Sequence, residues 1–105
     1  MKSLRIAITF LAFTISQYGL AASADLVKKG KAVYSTNCTA CHNADPKQDG
    51  SLGPAVYKSA KDLIEARVMK GEYPKNYKPK RDTKIMQPLP QLKNDIEALA
   101  AYLNN

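Results

Sequence analysis

Two cysteines and a histidine lie within five consecutive positions. Of all the residues in the chain, these are the ones whose types and spacing best fit covalent or metal-binding chemistry. Cys38, Cys41 and His42 form a C-x-x-C-H motif, and the 105-residue chain contains no other cysteine or histidine. Two thiols three residues apart can add to the two vinyl groups at one edge of a porphyrin, and the adjacent imidazole then lies under the iron. The motif therefore predicts covalent attachment of a c-type haem.

Three other uses of the cysteine pair have to be weighed against haem attachment. A structural zinc ion needs four ligands, usually including a second Cys or His pair, which this chain lacks. A thioredoxin-like redox dithiol is expected between a strand and a helix, and the sequence shows no strand pattern. A disulfide between Cys38 and Cys41 would close a very small loop and add little stability. Haem attachment is the favoured interpretation, and the redox dithiol is the strongest of the others.

The first 24 residues have the pattern of a bacterial secretory signal. Lys2 and Arg5 give a basic start, the stretch 6–15 is apolar apart from two threonines, and small residues occupy positions 22–24. The apolar stretch is shorter than the roughly 20 residues that a membrane-spanning helix needs, which favours cleavage over a retained membrane anchor. We expect cleavage before Asp25, a soluble domain over residues 25–105, and an oxidising periplasmic location.

Composition indicates that this domain needs help to fold. Residues 25–105 contain 14 Leu, Ile, Val and Phe among 81 positions, which is below the one-fifth at which disorder becomes a serious candidate. The chain has no tryptophan, and both phenylalanines lie within residues 1–13. A domain of this size already buries little surface. We therefore expect a large apolar cofactor to complete the core.

Hydrophobic periodicity predicts an all-α domain with three helices, no strands and no internal repeat. The helices are expected at residues 25–36, at residues 59–70 with Gly71 ending the helix, and from Asn94 to Leu103. Ser59 with Asp62, and Asn94 with Glu97, have the spacing of N-terminal capping pairs.

Gly30 is an unusual residue inside the first predicted helix. A glycine there costs about 1 kcal/mol relative to alanine, which indicates that another backbone approaches closely at this position.

Residues 25–105 as a whole resemble small monohaem class I c-type cytochromes. Beyond the C-x-x-C-H motif, the resemblance rests on Gly53-Pro54, on Met86 followed by Pro88-Leu89, and on the last helix with its Leu99-Ala100-Ala101-Tyr102-Leu103 ending. It implies the cytochrome c fold, with three main helices wrapped around one haem, and an electron carrier rather than an enzyme.

The resemblance also implies two specific contacts. Gly30 and Tyr34 of the first helix would pack across Leu99 and Tyr102 of the last, which accounts for the helical glycine. The backbone carbonyl of Pro54 would accept a hydrogen bond from the ring of His42 and so orient it.

The second axial ligand of the iron is expected to be a methionine, because no second histidine exists. Met69 falls late in an amphipathic helix, where methionine usually fills a gap in the core. Met86 falls in an irregular stretch that Pro88 and Pro90 stiffen, and fixed geometry suits a weak ligand. This argument and the resemblance both assign Met86, with Met69 or a nearby lysine as the alternatives.

Ligation by His42 and Met86 would raise the reduction potential relative to stronger donors, and it would close both faces of the iron. Because no open coordination position would then remain, electron transfer is favoured over substrate chemistry. The alternative function is a haem enzyme or a gas or redox sensor in which Met86 leaves the iron. In related proteins a tryptophan bonds a haem propionate. This chain has none, and the sequence does not choose among its possible substitutes, Tyr57, Arg67, Tyr73 and Tyr77.

A cationic run leads up to Met86. It consists of Lys70, Lys75, Lys78, Lys80, Arg81 and Lys84 within a net charge of +7, or +5 without the first 24 residues. Such runs are usually solvated. Here the run precedes the ligand loop, so we expect it to dock an acidic redox partner such as an oxidase, a quinol-oxidising complex or a dehydrogenase. Nucleic acid is a poor partner in this compartment, contact with lipid headgroups would be weak, and a monomer is expected.

Overall fold

The part of the chain that the structure describes forms three α-helices and one short 3-10 helix. A computed structural model describes the backbone of residue 12 and of residues 18–105, with side chains at residue 12 and at 23–105. The helices are α1 (Tyr18–Asn37), α2 (Lys61–Lys70) and α3 (Ile96–Leu103), and the 3-10 helix Pro90–Asp95 leads into α3. The described residues contain no strand, which confirms the predicted all-α class.

Helix α1 begins earlier than predicted. It starts at Tyr18 and continues through Asp25, where the sequence pattern predicted the first helical residue. Alanines at positions 21, 22 and 24 extend it, because alanine is the strongest helix former. Most of the predicted secretory signal lies outside the described residues, and its cleavage stays a prediction. No helix in the described part of the chain combines the length and apolar character needed to cross a bilayer.

Helix α2 ends as predicted but begins differently. Gly71 has a φ of 68° and its N–H bonds the Arg67 carbonyl, so glycine ends the helix in a left-handed conformation. The predicted cap at Ser59 is wrong, since Ala60 is the N-cap and makes no side-chain bond. The Ser59 hydroxyl instead donates to the Val56 carbonyl at 2.6 Å.

The predicted start of the last helix is also wrong. Asn94 lies within the 3-10 helix, and α3 begins two residues later at Ile96. Glu97 does not reach back to a cap because its carboxylate accepts a hydrogen bond from Lys61 Nζ at 2.9 Å. The Asn94–Glu97 capping pair expected from the sequence therefore does not form.

Helices α1 and α3 cross at Gly30. A Cβ on Gly30 would overlap the carbonyl oxygen of Ala98 and lie 2.8 Å from Tyr102 Cβ. The predicted close approach of another backbone is confirmed, and the backbone is that of Ala98 rather than Leu99. The rings of Tyr34 and Tyr102 pack next to this crossing, with centroids 5.6 Å apart.

One hydrophobic cluster joins all four helical elements. Its buried members are Tyr34, Ile64, Val68, Leu92, Ile96, Leu99 and Leu103. Because the cluster ties α1 to α2 and α3, it fixes the C-terminal end of α1, from which the C-x-x-C-H motif continues.

Candidate haem site

A cavity of about 330 Å³ lies beside the hydrophobic cluster. Its wall includes every residue that the sequence analysis assigned to the site, namely Cys38, Cys41, His42, Pro54 and Met86. Helices α2 and α3 contribute apolar wall through Leu63, Ile64, Val68, Leu99 and Leu103. The fold thus brings together groups that lie up to 48 positions apart in the sequence.

The C-x-x-C-H motif forms a single helical turn at the end of α1. The Cys38 N–H bonds the Tyr34 carbonyl at 2.9 Å, and the His42 N–H bonds the Cys38 carbonyl at 2.9 Å. This turn continues the helix just far enough to bring both thiols and the imidazole to the same cavity. Both cysteines are free and half-buried.

Burial changes the acidity of two groups beside this turn. It raises the pKa of the Cys38 thiol to about 11, so the thiol stays protonated at neutral pH. A redox dithiol needs an accessible thiolate, which makes this environment a poor one for that chemistry. Burial also raises the pKa of Tyr34 to about 12, with smaller effects from Cys38, Tyr102 and Asp45. The neutral Tyr34 hydroxyl donates to the Asn43 carbonyl and closes the turn.

The His42 ring has a defined orientation and tautomer. Its Nδ1 lies 2.8 Å from the Pro54 carbonyl oxygen. Because a carbonyl can only accept, Nδ1 carries the proton, and Nε2 keeps a lone pair for a metal. The ring lies directly against Gly53, where a Cβ would overlap the ring and come within 2.9 Å of Nε2. Gly53 and Pro54 therefore hold the His42 ring in place, in addition to forming a turn.

The loop that carries Pro54 is bonded to the motif through its backbone. The N–H groups of Leu52 and Gly53 both bond the Cys41 carbonyl, at 3.2 and 3.0 Å. Gly50 fits closely against the motif, since a Cβ there would lie 2.6 Å from His42 Cα. The Ala55 N–H donates to Asp49 Oδ1 at 2.8 Å, which closes the loop. The sequence analysis did not single out Asp49 or Gly50.

The two methionines considered as ligands occupy different places. Met86 is half-buried, packs against the hydrophobic cluster and lines the cavity. Met69 also packs against the cluster, but it lines a separate groove on α2 rather than the cavity. The loop after Met86 is held to α2 by a 2.7 Å bond from the Leu89 N–H to the Val68 carbonyl.

Three of the four residues considered as propionate partners form a stack on the cavity wall. The Arg67 guanidinium lies 4.0 Å from the centroid of the Tyr73 ring, and Tyr73 stacks on Tyr77 with centroids 5.5 Å apart. The Arg67 guanidinium also donates to the Gly71 carbonyl at 2.7 Å. The fourth, Tyr57, does not line the cavity, and its hydroxyl donates to the Asn105 carbonyl at 3.4 Å.

Lys80 and Arg81 connect the segment before Met86 to the loop that holds Pro54. Lys80 Nζ donates to the Ala55 carbonyl at 2.9 Å, and an Arg81 guanidinium nitrogen lies 3.4 Å from the Gly50 carbonyl. The same nitrogen is 3.9 Å from Asp49 Oδ2. These contacts were missed by the sequence analysis, which treated both residues only as part of a charged run.

The donor set and surroundings of the cavity fit a haem. The two thiols, the imidazole and the thioether all line the cavity, and the rest of its wall is largely apolar. The cationic side chains of Arg67, Lys80 and Arg81 also line it and are suited to pair with the propionate carboxylates of a haem. Within the described part of the chain, no three His, Cys, Asp or Glu side chains cluster closely enough to hold a bare metal ion. The zinc interpretation therefore has no ligand set there.

Comparison with known proteins agrees with this geometry. A family model described as Cytochrome c matches residues 27–105. The chain belongs to the cytochrome c family. Family membership makes this cytochrome a haem-based electron-transfer protein and confirms both the predicted fold and the resemblance to class I c-type cytochromes. Searches of curated proteins and of solved structures returned no match.

Proposed function

We propose that this cytochrome is a soluble periplasmic electron shuttle. Cys38 and Cys41 would hold one haem c through thioether bonds, and His42 and Met86 would ligate its iron. The main support is that residues spread from position 38 to position 86 border one cavity, in which the Pro54 carbonyl fixes the His42 ring. Removal of residues 1–24 during export belongs to the same proposal.

Each residue of the site has a distinct task. When bound, the haem supplies a one-electron couple between ferrous and ferric iron. The two thiols anchor it covalently, and His42 offers a neutral nitrogen because its other nitrogen is bonded to Pro54. Met86 would offer a weak sulfur ligand, and ligation by both His42 and Met86 would keep water and external ligands from the iron. This arrangement supports electron transfer without substrate chemistry.

The partner is proposed to be an acidic redox protein that docks on the cationic run near Met86. Lys80 and Arg81 line the cavity, and the exposed Lys78 and Lys84 flank them in the sequence. Lys70 lines the separate groove on α2, so the docking surface is narrower than the run itself. Positive charge around the cavity would steer an acidic partner towards the haem.

The haem assignment is tested by expressing the full chain in a host that attaches haem c. We expect a mass that exceeds the polypeptide by one haem, and a ferric spectrum with a methionine-to-iron charge-transfer band at neutral pH. The reduced protein should bind carbon monoxide slowly or not at all. A mass equal to bare polypeptide would reject the proposal. A high-spin ferric spectrum with rapid carbon monoxide binding would support the haem enzyme or sensor instead.

The docking assignment is tested by the salt dependence of reduction by an acidic partner protein. The rate should fall as ionic strength rises. Changing Lys78 and Lys84 together to Glu should slow the reaction at low salt, whereas Lys31→Glu on the exposed side of α1 should have a smaller effect. If the rate changes neither with ionic strength nor in the Lys78/Lys84→Glu double variant, this surface is not the docking site.

A further inference from the structure

Asp49 lies next to the peptide group that orients the proposed haem ligand. The Pro54 carbonyl oxygen accepts the hydrogen bond from His42 Nδ1 at 2.8 Å. The N–H at the other end of the same peptide group, that of Ala55, donates to Asp49 Oδ1 at 2.8 Å. One peptide unit therefore bridges a carboxylate and the imidazole.

From this geometry we infer that Asp49 is a positioning residue that tunes His42 through the Pro54–Ala55 peptide. The inference rests on the proposed function, in which His42 ligates the haem iron. Asp49 touches neither the cavity nor His42 itself, so its influence has to pass through the two hydrogen bonds.

The physical basis is the coupling of the two ends of a peptide group. Resonance joins the N–H and the C=O, so a charged acceptor on the N–H makes the carbonyl oxygen more negative. Hydrogen bonds to ionised groups are roughly twice as strong as neutral ones. The Pro54 oxygen then draws the Nδ1 proton more strongly, and Nε2 becomes a stronger donor. A stronger donor stabilises ferric iron more than ferrous iron, so Asp49 lowers the reduction potential.

The surroundings of Asp49 fix its geometry and moderate its effect. Its second oxygen lies 3.9 Å from an Arg81 guanidinium nitrogen, and its own backbone carbonyl accepts a bond from the Asn43 side chain at 3.3 Å. The Asp49 side chain is 69% exposed, so water screens its charge. We therefore expect a moderate shift in potential rather than a change of ligand.

The test compares Asp49→Asn with a matched control, Asp45→Asn. Asparagine keeps an oxygen that can accept from the Ala55 N–H and removes only the charge. Asp45 is an exposed carboxylate nearby in the sequence that also accepts one backbone N–H, that of Lys47 at 3.0 Å. The peptide group of Lys47 makes no hydrogen bond to His42, so the control repeats the charge change without the bridge.

Two measurements on the haem-loaded full chain separate tuning from a general charge effect. Relative to Asp45→Asn, the Asp49→Asn variant should have an equilibrium constant for reduction at least about three-fold higher, equivalent to about 30 mV. In the ferrous state, the NMR resonance of the His42 Nδ1 proton should move upfield in Asp49→Asn and stay in place in Asp45→Asn, because only the first change weakens that hydrogen bond.

Several outcomes would overturn the inference. Equal potentials in the two variants, or an unmoved Nδ1 proton, would reduce Asp49 to an ordinary surface charge. If Asp49→Asn does not fold with haem, Asp49→Ser replaces it, and failure of both would give Asp49 a structural role instead. A wild-type protein without haem mass or without the methionine-to-iron band would reject the proposed function. Failure of the inference alone leaves that mass and band intact.

Discussion

The two sides of the haem site are held by different kinds of contact. The proximal loop, residues 38–55, is bonded to itself through the backbone, with the Cys41 carbonyl accepting from both Leu52 and Gly53. The distal segment, residues 73–88, is described throughout, and its one backbone–backbone hydrogen bond runs from Tyr77 to Pro74. Side chains hold the rest of the distal segment, through the tyrosine stack and through Lys80 and Arg81.

This difference indicates how the two proposed axial ligands should behave. His42 lies in a loop where backbone bonds and close glycine packing leave little freedom. Met86 lies in a segment whose main attachments are side-chain contacts rather than backbone hydrogen bonds, and such segments open at lower free energy. We expect the methionine side to loosen first when the protein is stressed.

The largest expected effect comes from removing the anchor of the proximal loop. Changing Cys38 and Cys41 to Ser should leave a chain without covalent haem and largely unfolded, because the apolar residues alone are too few to stabilise it. Far-ultraviolet circular dichroism should show most helical signal lost. Thr39→Ala in the same turn removes only an exposed bond to the Ser35 carbonyl and should keep the fold. A compact helical double variant would contradict this prediction.

The next largest effect separates the two methionines. Met86→Ala should lower the reduction potential and let the ferrous protein bind carbon monoxide, since a proposed ligand is lost. Met69→Ala should leave the spectrum unchanged and reduce the free energy of unfolding by about 2 kcal/mol, as expected for a partly buried core residue. Spectroscopic titration with carbon monoxide and denaturation with urea measure the two effects. The opposite pattern would assign the ligand to Met69.

A smaller effect tests the rigidity of the proximal loop. Gly53→Ala places a methyl group against the His42 ring and should lower the free energy of unfolding by about 2–3 kcal/mol. Ser51→Ala at an exposed position of the same loop is the control and should change it little. Urea denaturation followed by haem absorbance measures both. Equal free energies of unfolding for the two variants would show that the loop can shift to accommodate the added methyl group.

The smallest effect tests the side-chain attachments of the distal segment. Arg81→Gln removes the contacts to Gly50 and Asp49 and should cost less than about 1 kcal/mol of global stability, because the Asp49 side chain is 69% exposed and water screens the pair. Amide hydrogen exchange around Met86 should nevertheless become several-fold faster. Lys75→Gln, at an exposed position of the segment, serves as the comparison. Unchanged exchange in Arg81→Gln would mean that the segment is held mainly by other contacts.

The sequence predicted features whose cause is local. The C-x-x-C-H spacing works within one helical turn, and Gly71 ends α2 by its own left-handed backbone. Gly30 indicated that some backbone approaches closely, and the resemblance was needed to name the last helix as the partner. Pro54 needed the family resemblance, because nothing nearby in the sequence connects it to His42. Met86 was assigned both by elimination among the available side chains and by the resemblance.

The features that were missed or wrongly predicted depend on partners far along the chain. The exception is Ser59, whose hydroxyl bonds the Val56 carbonyl only three positions earlier. Glu97 accepts a hydrogen bond from Lys61, 36 positions away, and neither expected cap forms. Lys80 reaches back 25 positions to Ala55, and Arg81 reaches 31 positions to Gly50. Spacing rules for a single helix or loop contain no information about such pairs, since they depend on how the elements meet in the fold.

The crossing of α1 and α3 has a consequence for biogenesis. Leu99 and Leu103 of α3 form part of the cavity wall, yet this helix follows all the other described elements in the chain. While the polypeptide is being synthesised, that side of the cavity stays open until α3 emerges. Under the proposed function, Cys38 and Cys41 would therefore be accessible for haem attachment before the C-terminal helix closes over them.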